Sequence, residues 1–306
     1  CSSDLHMGKS TFCKPKLSKR RKWFDCAIFM GPSILMFTVL FLIPLGGELL
    51  YSFTDWNGVD PTFSFNGVTN YFKTFAEPEY WASLWFTIKF SFFVVIFSNL
   101  LAFGWAYILS KDIPLRNLWR ALIYVPRIIG GVILGFLWRF IFQNVFVQFG
   151  KWTGWSWFSQ NWFTTPSSSF WALVIVMTWT LSGYLMIIYG AGFSAIDSSY
   201  IEAATIDGAS ERQILFRITI PMLMSSITRC MFIAINWAML LYDTNISLTN
   251  GNPYRTSEGV TMNIYATAFK SNQMAFGAAK SVIFIVILVI ISFAQVGLTS
   301  RREVEQ

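Results

Sequence analysis

The chain has 306 residues, of which 54% are hydrophobic and only 13% are charged. Because soluble globular domains carry about 25% charged residues, this composition excludes an ordinary soluble protein. The net charge of +7 does not indicate nucleic-acid binding, because many of the basic residues precede the first apolar segment, at Lys9, Lys14, Lys16, Lys19, Arg20, Arg21 and Lys22.

Residues 1–24 are predicted to form a basic cytoplasmic segment. A cluster of basic residues beside a membrane span is typical of the inner side, and it also suits anionic lipid headgroups. We interpret residues 1–6 as an expression-tag remnant and Met7 as the native start. The four cysteines show no paired spacing, so we expect free thiols.

Six apolar segments follow, and each is long enough to cross a hydrocarbon core of about 30 Å. The last is bounded by Lys280 and Arg301. We predict an all-α polytopic membrane protein with one transmembrane domain at 25–300 and a cytoplasmic tail at 301–306. The predicted spans are 25–53, 84–110, 121–146, 170–193, 221–242 and 275–298.

The connecting loops differ in charge, which predicts their sides. Lys111, Arg116 and Arg120 outnumber Asp112 after the second span, so that loop is predicted inside. Acidic residues dominate the loop after the first span, which is predicted outside. Both termini are therefore expected in the cytoplasm. Tryptophans concentrate in the predicted outer loops, where interfacial anchoring explains most of them.

Three arginines fall within or at the ends of spans. Charges inside a bilayer are costly and usually face protein, water or headgroups. We favour an interfacial anchoring role for Arg127 and Arg139, one near each surface, and expect Arg229 to point into the helix bundle.

The loop at 198–221 carries the clearest local signals. Ser199 with Glu202, and Ser210 with Gln213, each predict a capping box at a helix start. Gly208 can supply the left-handed conformation that ends the first helix. Pro221 is predicted to end the second helix and begin the next span.

The second helix of this loop has an apolar stripe at Ile214, Leu215 and Ile218. A short helix of this kind can dock in a groove on another protein. The alternative is an amphipathic connector that rests on the bilayer surface.

The pattern Glu202-Ala203-Ala204, Gly208, Ile218 and Pro221 resembles the "EAA" loop of binding-protein-dependent ABC importer permeases. Ile220 replaces the leucine usual before the final proline. The resemblance implies a type I ABC importer permease fold. It also implies an ATPase-coupling role for this loop, namely for Glu202, Ala203, Ala204, Asp207, Gly208, Ile218 and Pro221.

The outer segments 55–58, 65–71 and 249–253 resemble sugar-importer permeases, in particular the larger maltose-importer permease and the first glycerol-phosphate permease. Asn252 departs from the usual second glycine of the last segment. The resemblance implies import of a carbohydrate, with an oligosaccharide as the expected cargo. It places the pathway at Tyr184, Trp237, Thr180, Asn236 and Leu241, with Ala234 and Ala238 nearby.

The same resemblance implies several partners in a prokaryotic inner membrane. These are a second, different permease, two copies of a cytoplasmic ATPase, an extracytoplasmic sugar-binding protein and membrane lipid. ATP and Mg²⁺ are expected on the ATPase, with no cofactor or metal bound by this chain.

Three alternatives remain open. An enzyme would need a nucleophile–base pair, a metal cluster or paired carboxylates, and the sequence suggests none of these. An ion-coupled secondary transporter would usually carry acidic residues inside its spans, which are nearly free of them. An ABC importer for a non-sugar solute differs only in cargo. Dependence of transport on ATP, and not on an ion gradient, would distinguish an ABC importer from a secondary transporter.

Overall fold

The computed structural model describes residues 19–301, with side chains from Ile28 onward. The basic cluster at the amino terminus, the proposed tag remnant and residues 302–306 lie outside the described side chains. Within the described range the chain is helical, with no strand and one isolated β-bridge between Thr54 and Phe65. The chain divides into two units, Cys1–Leu50 and Tyr51–Gln306, which are described separately.

The first unit holds most of the first predicted span. Helix α1 (Lys19–Phe37) continues through a π-helical turn (Thr38–Leu42) into α2 (Ile43–Tyr51). Its apolar part, Ile28–Tyr51, is 24 residues long, or about 36 Å, which is enough to cross a bilayer.

The second unit contains the other helices, some interrupted by π-helical turns at Ile141–Val145, Leu215–Thr219 and Ala266–Lys270. They are α3 (Thr69–Ala76), α4 (Pro78–Ser110), α5 (Arg116–Ile128), α6 (Gly131–Phe140), α7 (Phe146–Thr153), α8 (Ser156–Ser159), α9 (Pro166–Ala195), α10 (Ser198–Ile206), α11 (Glu211–Ile214), α12 (Ile220–Met222), α13 (Met224–Met239), α14 (Asp243–Leu248), α15 (Val260–Tyr265) and α16 (Met274–Ser300).

The number of spans agrees with the sequence prediction. Five described helical segments are long and apolar enough to cross a membrane, and a bent pair raises the number to six. The pair consists of Glu211–Met222 and Met224–Met239, which meet at 68°.

Two predicted spans differ in extent from the observed helices. The predicted helix at 121–146 is broken, because Ile129 and Gly130 are extended and glycine is a poor helix former. Arg116–Ile128 is therefore a separate helix, and the span restarts at Gly131. The fifth span bends at Leu223 instead of beginning at Pro221.

Helices α4 and α9 form the centre of the bundle and run parallel. Phe90, in the first half of α4, packs edge-to-face on Phe170 near the start of α9, and Tyr107 contacts Phe193 near the last turns of both helices. Between these contacts the Tyr189 hydroxyl donates to Asn99 Oδ1 at 2.8 Å. Ser110 and Ala195 therefore lie at the same end of the bundle.

Long-range contacts define two ends, which we name the corner face and the loop face. At the corner face, Lys111 Nζ lies 3.4 Å from Glu211 Oε2 and links the end of α4 to α11. At the loop face, Arg255 Nη1 lies 2.7 Å from Glu79 Oε2. The loops 111–115 and 197–210 thus share one side, as the alternation of the predicted spans requires.

The segment 243–273, predicted as an external loop, contains two short helices that pack into the bundle. Helix α14 lies against α6, where a Cβ on Gly135 would come within 1.8 Å of Ser247 Oγ. Asn245 is fully buried and donates to the Ser257 carbonyl at 2.8 Å. The hydrophobicity pattern missed these helices because they are too short and polar to show a periodic signal.

Candidate functional site

The corner face carries a helix, a sharp turn and a second helix. The first helix, α10, starts two residues earlier than predicted because Asp197, and not Ser199, is its cap. Asp197 Oδ1 accepts the Ser199 N–H at 2.9 Å. This hydrogen bond holds the pKa of the Asp197 carboxyl below its ordinary value. The predicted capping box of Ser199 with Glu202 is wrong, and the Glu202 side chain is left free of that role.

Gly208 ends α10 in the left-handed conformation, as predicted, with φ of +80°. The Ala209 N–H bonds to the Ala204 carbonyl at 3.0 Å, and the Gly208 N–H bonds to the Thr205 carbonyl at 3.0 Å. This pair of bonds is a Schellman motif, which satisfies carbonyls at the helix end. No atom lies within 4 Å of a Cβ built on Gly208, so backbone conformation alone favours glycine here.

The second capping box, at Ser210 and Gln213, is present as predicted. The helix that follows widens into a π-helical turn at Leu215–Thr219 and continues past Pro221. Proline cannot donate, and its ring clashes with the carbonyl four residues earlier, that of Arg217. The wider turn accommodates this carbonyl, so the chain does not break at Pro221.

The predicted coupling residues differ in exposure. Glu202, Ala203, Asp207 and Gly208 are exposed together at the corner, while Ala204 points inward. The described residues form no ion pair or side-chain hydrogen bond with Glu202 or Asp207. Farther along, Ile218 and Pro221 are half-buried.

The apolar surface of the corner is not the stripe that the sequence predicted. Ile214, Leu215 and Ile218 are half-buried against their own chain. The most exposed apolar side chains are instead Ile206 and Phe216, at 85% and 66% exposure. Helical spacing identified an apolar face correctly but could not tell whether that face packs inward.

A cavity of about 120 Å³ lies among α5, α6, α9 and the segment after α13. Its lining combines polar groups with aromatic and aliphatic side chains. The residues are Arg127, Ile129, Gly131, Leu134, Met177, Thr180, Leu181, Trp237, Leu240, Leu241, Tyr242, Asp243 and Thr244.

Three of the predicted pathway residues line this cavity: Thr180, Trp237 and Leu241. Tyr184 adjoins it through Arg127, whose guanidinium carbon lies 5.5 Å from the Tyr184 ring centroid. Asn236 does not line the cavity. Its amide donates to the Phe232 carbonyl at 2.8 Å and reaches Ser292 on α16 at 3.5 Å. The nearby Ala234 and Ala238 are fully buried between helices.

Arg127, which the sequence predicted as an interfacial anchor, contacts aromatic side chains of the bundle in the structure. Its guanidinium carbon lies 3.6 Å from the centroid of the Trp237 ring. A close glycine contact makes this approach possible, because a Cβ on Gly183 of α9 would come within 2.2 Å of the Ile123 carbonyl on α5.

The prediction for Arg229 is wrong. Arg229 is exposed rather than directed into the bundle. Its Nε donates to the Ser225 carbonyl on the same helix at 3.1 Å. Cys230, the next residue, occupies the inward position and is fully buried, because neighbouring helical residues point about 100° apart.

The sequence profile of the family described as "Binding-protein-dependent transport system inner membrane component" matches residues 95–304. The chain belongs to this family. It is therefore a multi-pass permease of the inner membrane and a transport component of an ABC importer, not a catalytic subunit.

Relatives of the permease match over nearly their whole length. The chain is 39% identical to the probable starch degradation products transport system permease protein AmyD of Thermoanaerobacterium thermosulfurigenes, over 94% of this chain and 100% of that protein. It is 26% identical to the multiple sugar-binding transport system permease protein MsmF of Streptococcus mutans, over 92% of this chain and 97% of that protein.

Solved structures support the type I importer fold. A bacterial ABC transporter involved in the import of the acidic polysaccharide alginate matches with a TM-score of 0.79 at 20% identity, over 92% of this chain and 96% of that chain. The alginate transporter in complex with an alginate pentasaccharide-bound periplasmic protein matches with a TM-score of 0.80 at 19% identity, with the same coverage.

Proposed function

We propose that this permease forms half of a pathway for an oligosaccharide delivered by an extracytoplasmic binding protein. The observation that carries the proposal is the 39% identity over the full length of a permease named for starch degradation products. A third relative, 27% identical, is the trehalose/maltose transport system permease protein MalF of Thermococcus litoralis. These names favour a carbohydrate over an amino acid or an ion.

The cavity has the side chains that a carbohydrate site needs. Sugar sites combine aromatic faces with a few placed polar groups. Here Trp237 and Tyr184 supply the aromatic rings, while Thr180 and Asp243 supply oxygen atoms. These residues, together with Leu241, form the proposed pathway. We no longer propose that Asn236 contacts the solute, because it packs between helices.

The corner at 197–210 is the proposed docking site for a cytoplasmic ATPase, present in two copies that bind ATP and Mg²⁺. Its exposed carboxylates, Glu202 and Asp207, have no partner among the described residues and can accept hydrogen bonds from the ATPase. Ile206 and Phe216 add exposed apolar area. This assignment places the corner face, and both termini, in the cytoplasm.

A second permease completes the proposed complex, because six spans enclose only part of a translocation pathway. The binding protein is proposed to contact the loop face. The transmembrane domain is proposed to extend over 25–300, flanked by the basic segment 1–24 and the tail 301–306.

The function is tested on the complex purified from its native membranes and reconstituted with its binding protein. We expect ATP-dependent accumulation of at least one of maltotriose, trehalose, raffinose and arabinotriose. Accumulation that follows an ion gradient without ATP, or that takes amino acids and none of these sugars, would disprove the proposal.

The ATPase contact is tested with Glu202→Lys. Charge reversal at an exposed contact should reduce ATPase co-purification and uptake at least tenfold while the permease still inserts. The control is Glu211→Lys, at an exposed carboxylate that pairs with Lys111 and with no other described residue. If ATPase co-purification and uptake were unchanged in Glu202→Lys, the proposal that Glu202 contacts the ATPase would be wrong.

A further inference from the structure

Arg127 is a charged side chain next to the inner part of a spanning helix. Its neighbour Tyr184 lies on α9, about 17 Å along the helix from Ala195 and about 27 Å from Pro166. Helix α9 is 30 residues long and apolar enough to span a membrane, so Tyr184 is well inside the span and not at either end. Transporters place their solutes at this level of their helices.

The guanidinium of Arg127 lies over the indole of Trp237, at a distance that favours a flat, stacked arrangement. At 3.6 Å between its central carbon and the ring centroid, a nitrogen pointed at the ring would clash with it. Stacked guanidinium groups of this kind gain cation–π attraction. Tyr184, at 5.5 Å, provides a second aromatic neighbour.

In a stacked guanidinium, the N–H bonds lie in a plane parallel to the indole ring and point away from the centre of the group. No described residue accepts a hydrogen bond from them, and none forms an ion pair with the guanidinium. Asp243 lines the same cavity without reaching it. Unused donors of a half-buried cation are costly unless a solute or water accepts from them.

We propose that Arg127 is a solute-contacting, specificity-determining residue of the pathway, and that Trp237 is its positioning residue. Hydroxyl oxygens of an oligosaccharide accept from the guanidinium while Trp237 holds it flat. One face of Trp237 is therefore occupied by Arg127 and is not a stacking platform for sugar. The inference rests on the proposed carbohydrate function.

The test uses the reconstituted complex and measures two quantities: ATP hydrolysis stimulated by loaded binding protein, and sugar accumulated per ATP hydrolysed. The probe is radiolabelled maltotriose, or the sugar of the four-member panel that the wild-type complex takes up fastest. Arg127→Gln should lower accumulation per ATP about tenfold, since a hydrogen bond to a charged group is lost. Stimulated hydrolysis should stay within twofold of wild type.

The positioning role is tested with two variants of Trp237. Trp237→Phe keeps an aromatic face and should retain transport per ATP within threefold. Trp237→Leu should match Arg127→Gln, and the double variant should be no worse than either single one. The matched control is Arg229→Gln, which removes an exposed arginine on α13 and should behave as wild type.

Four results would overturn the inference. Normal transport per ATP in Arg127→Gln shows that the guanidinium does not contact solute. Parallel loss of stimulated hydrolysis and transport shows a structural role only. Additive losses in the double variant show that Trp237 acts independently of Arg127 and does not position it. If the wild-type complex imports none of the four sugars, the carbohydrate proposal fails, and this inference fails with it.

Discussion

Lys280 is a fully buried cation near the start of α16. Its ammonium lies 2.9 Å and 2.7 Å from the two oxygens of Glu77, and it donates to Asn263 Oδ1 at 3.0 Å and Thr267 Oγ1 at 2.7 Å. This cluster joins the start of α4, α15 with its π-helical turn, and α16 at the loop face. In the sequence, Lys280 indicated only the edge of an apolar segment.

Removal of Glu77 should be more damaging than removal of Lys280. Glu77→Ala leaves a charge in a fully buried site and should cost about 3–5 kcal/mol. Lys280→Met leaves a carboxylate that is 25% exposed and can be hydrated, so it should cost less. Thermal unfolding in detergent measures both.

The control for these variants is Lys270→Met, at an exposed lysine without an ion pair in the described chain; it should change stability by no more than about 0.5 kcal/mol. The double variant Glu77→Ala with Lys280→Met should be more stable than Glu77→Ala alone. Equal or greater loss in the double variant would contradict the buried-charge argument.

At the scale of elements, glycines determine how closely helices approach around the cavity. Gly131 and Gly135 of α6 face α14, and a Cβ on Gly131 would lie 3.0 Å from Asp243 Cβ. Since α14 carries Asp243 and Thr244, this contact positions two cavity residues. Gly183 has the same role between α9 and α5.

Gly135→Ala should force α14 away from α6. Its new methyl group would meet Ser247 Oγ at 1.8 Å and the Thr244 carbonyl at 3.0 Å, and overpacking of this kind costs about 1–3 kcal/mol. We expect lower thermal stability and reduced uptake. Gly190→Ala is the control, because no atom lies within 4 Å of its Cβ; helix propensity should leave it neutral or slightly stabilising. Equal stability of the two variants would argue against the close contact.

The helical corner depends on the backbone conformation at Gly208. Gly208→Val should strain the turn by about 1–2 kcal/mol, because a side chain disfavours positive φ, and should weaken ATPase co-purification several-fold. The Gly208→Asn variant should bind the ATPase better than Gly208→Val does, since asparagine tolerates a positive φ. Both variants must first be shown in the membrane at wild-type level. Valine and asparagine variants that bind alike would show that the left-handed turn is not required.

At the scale of the whole molecule, the two faces of the bundle differ in chemistry. The corner face presents the polar turn at 207–210, while the loop face presents the ion pairs of Glu79 and Arg255 and a 90% exposed Tyr254. Parallel α4 and α9 separate these faces by a bilayer-spanning distance. The orientation in the cell follows from the charge of the loops and remains a prediction.

Thiol labelling checks this orientation. In a cysteine-free permease, Tyr254→Cys should react with an impermeant maleimide in intact spheroplasts. Arg212→Cys should react at least tenfold more slowly until the membrane is permeabilised, because we place the corner face inside. The reverse pattern would invert the topology and exclude a cytoplasmic ATPase at this corner.

The sequence by itself determined the features that depend on local chemistry. Apolar length predicted the number of spans, and the alternation of those spans predicted that 111–120 and 198–221 share one side. Capping and turn rules predicted the corner at Gly208 and the box at Ser210, because these bonds join residues only a few positions apart. Asp197 shows the limit of such rules. Asp197 and Ser199 can both cap a helix, and the residue that does so is the one whose backbone is extended just before the helix begins.

Only the tertiary structure decided which side chains meet across the bundle. Arg127 reaches Trp237, and Lys280 reaches Glu77, because helices far apart in sequence approach at glycines and small residues. The same packing decides that Ile214 turns inward while Phe216 is exposed. A pattern of spacing specifies a face of a helix, but the neighbours that cover that face come from elsewhere in the chain.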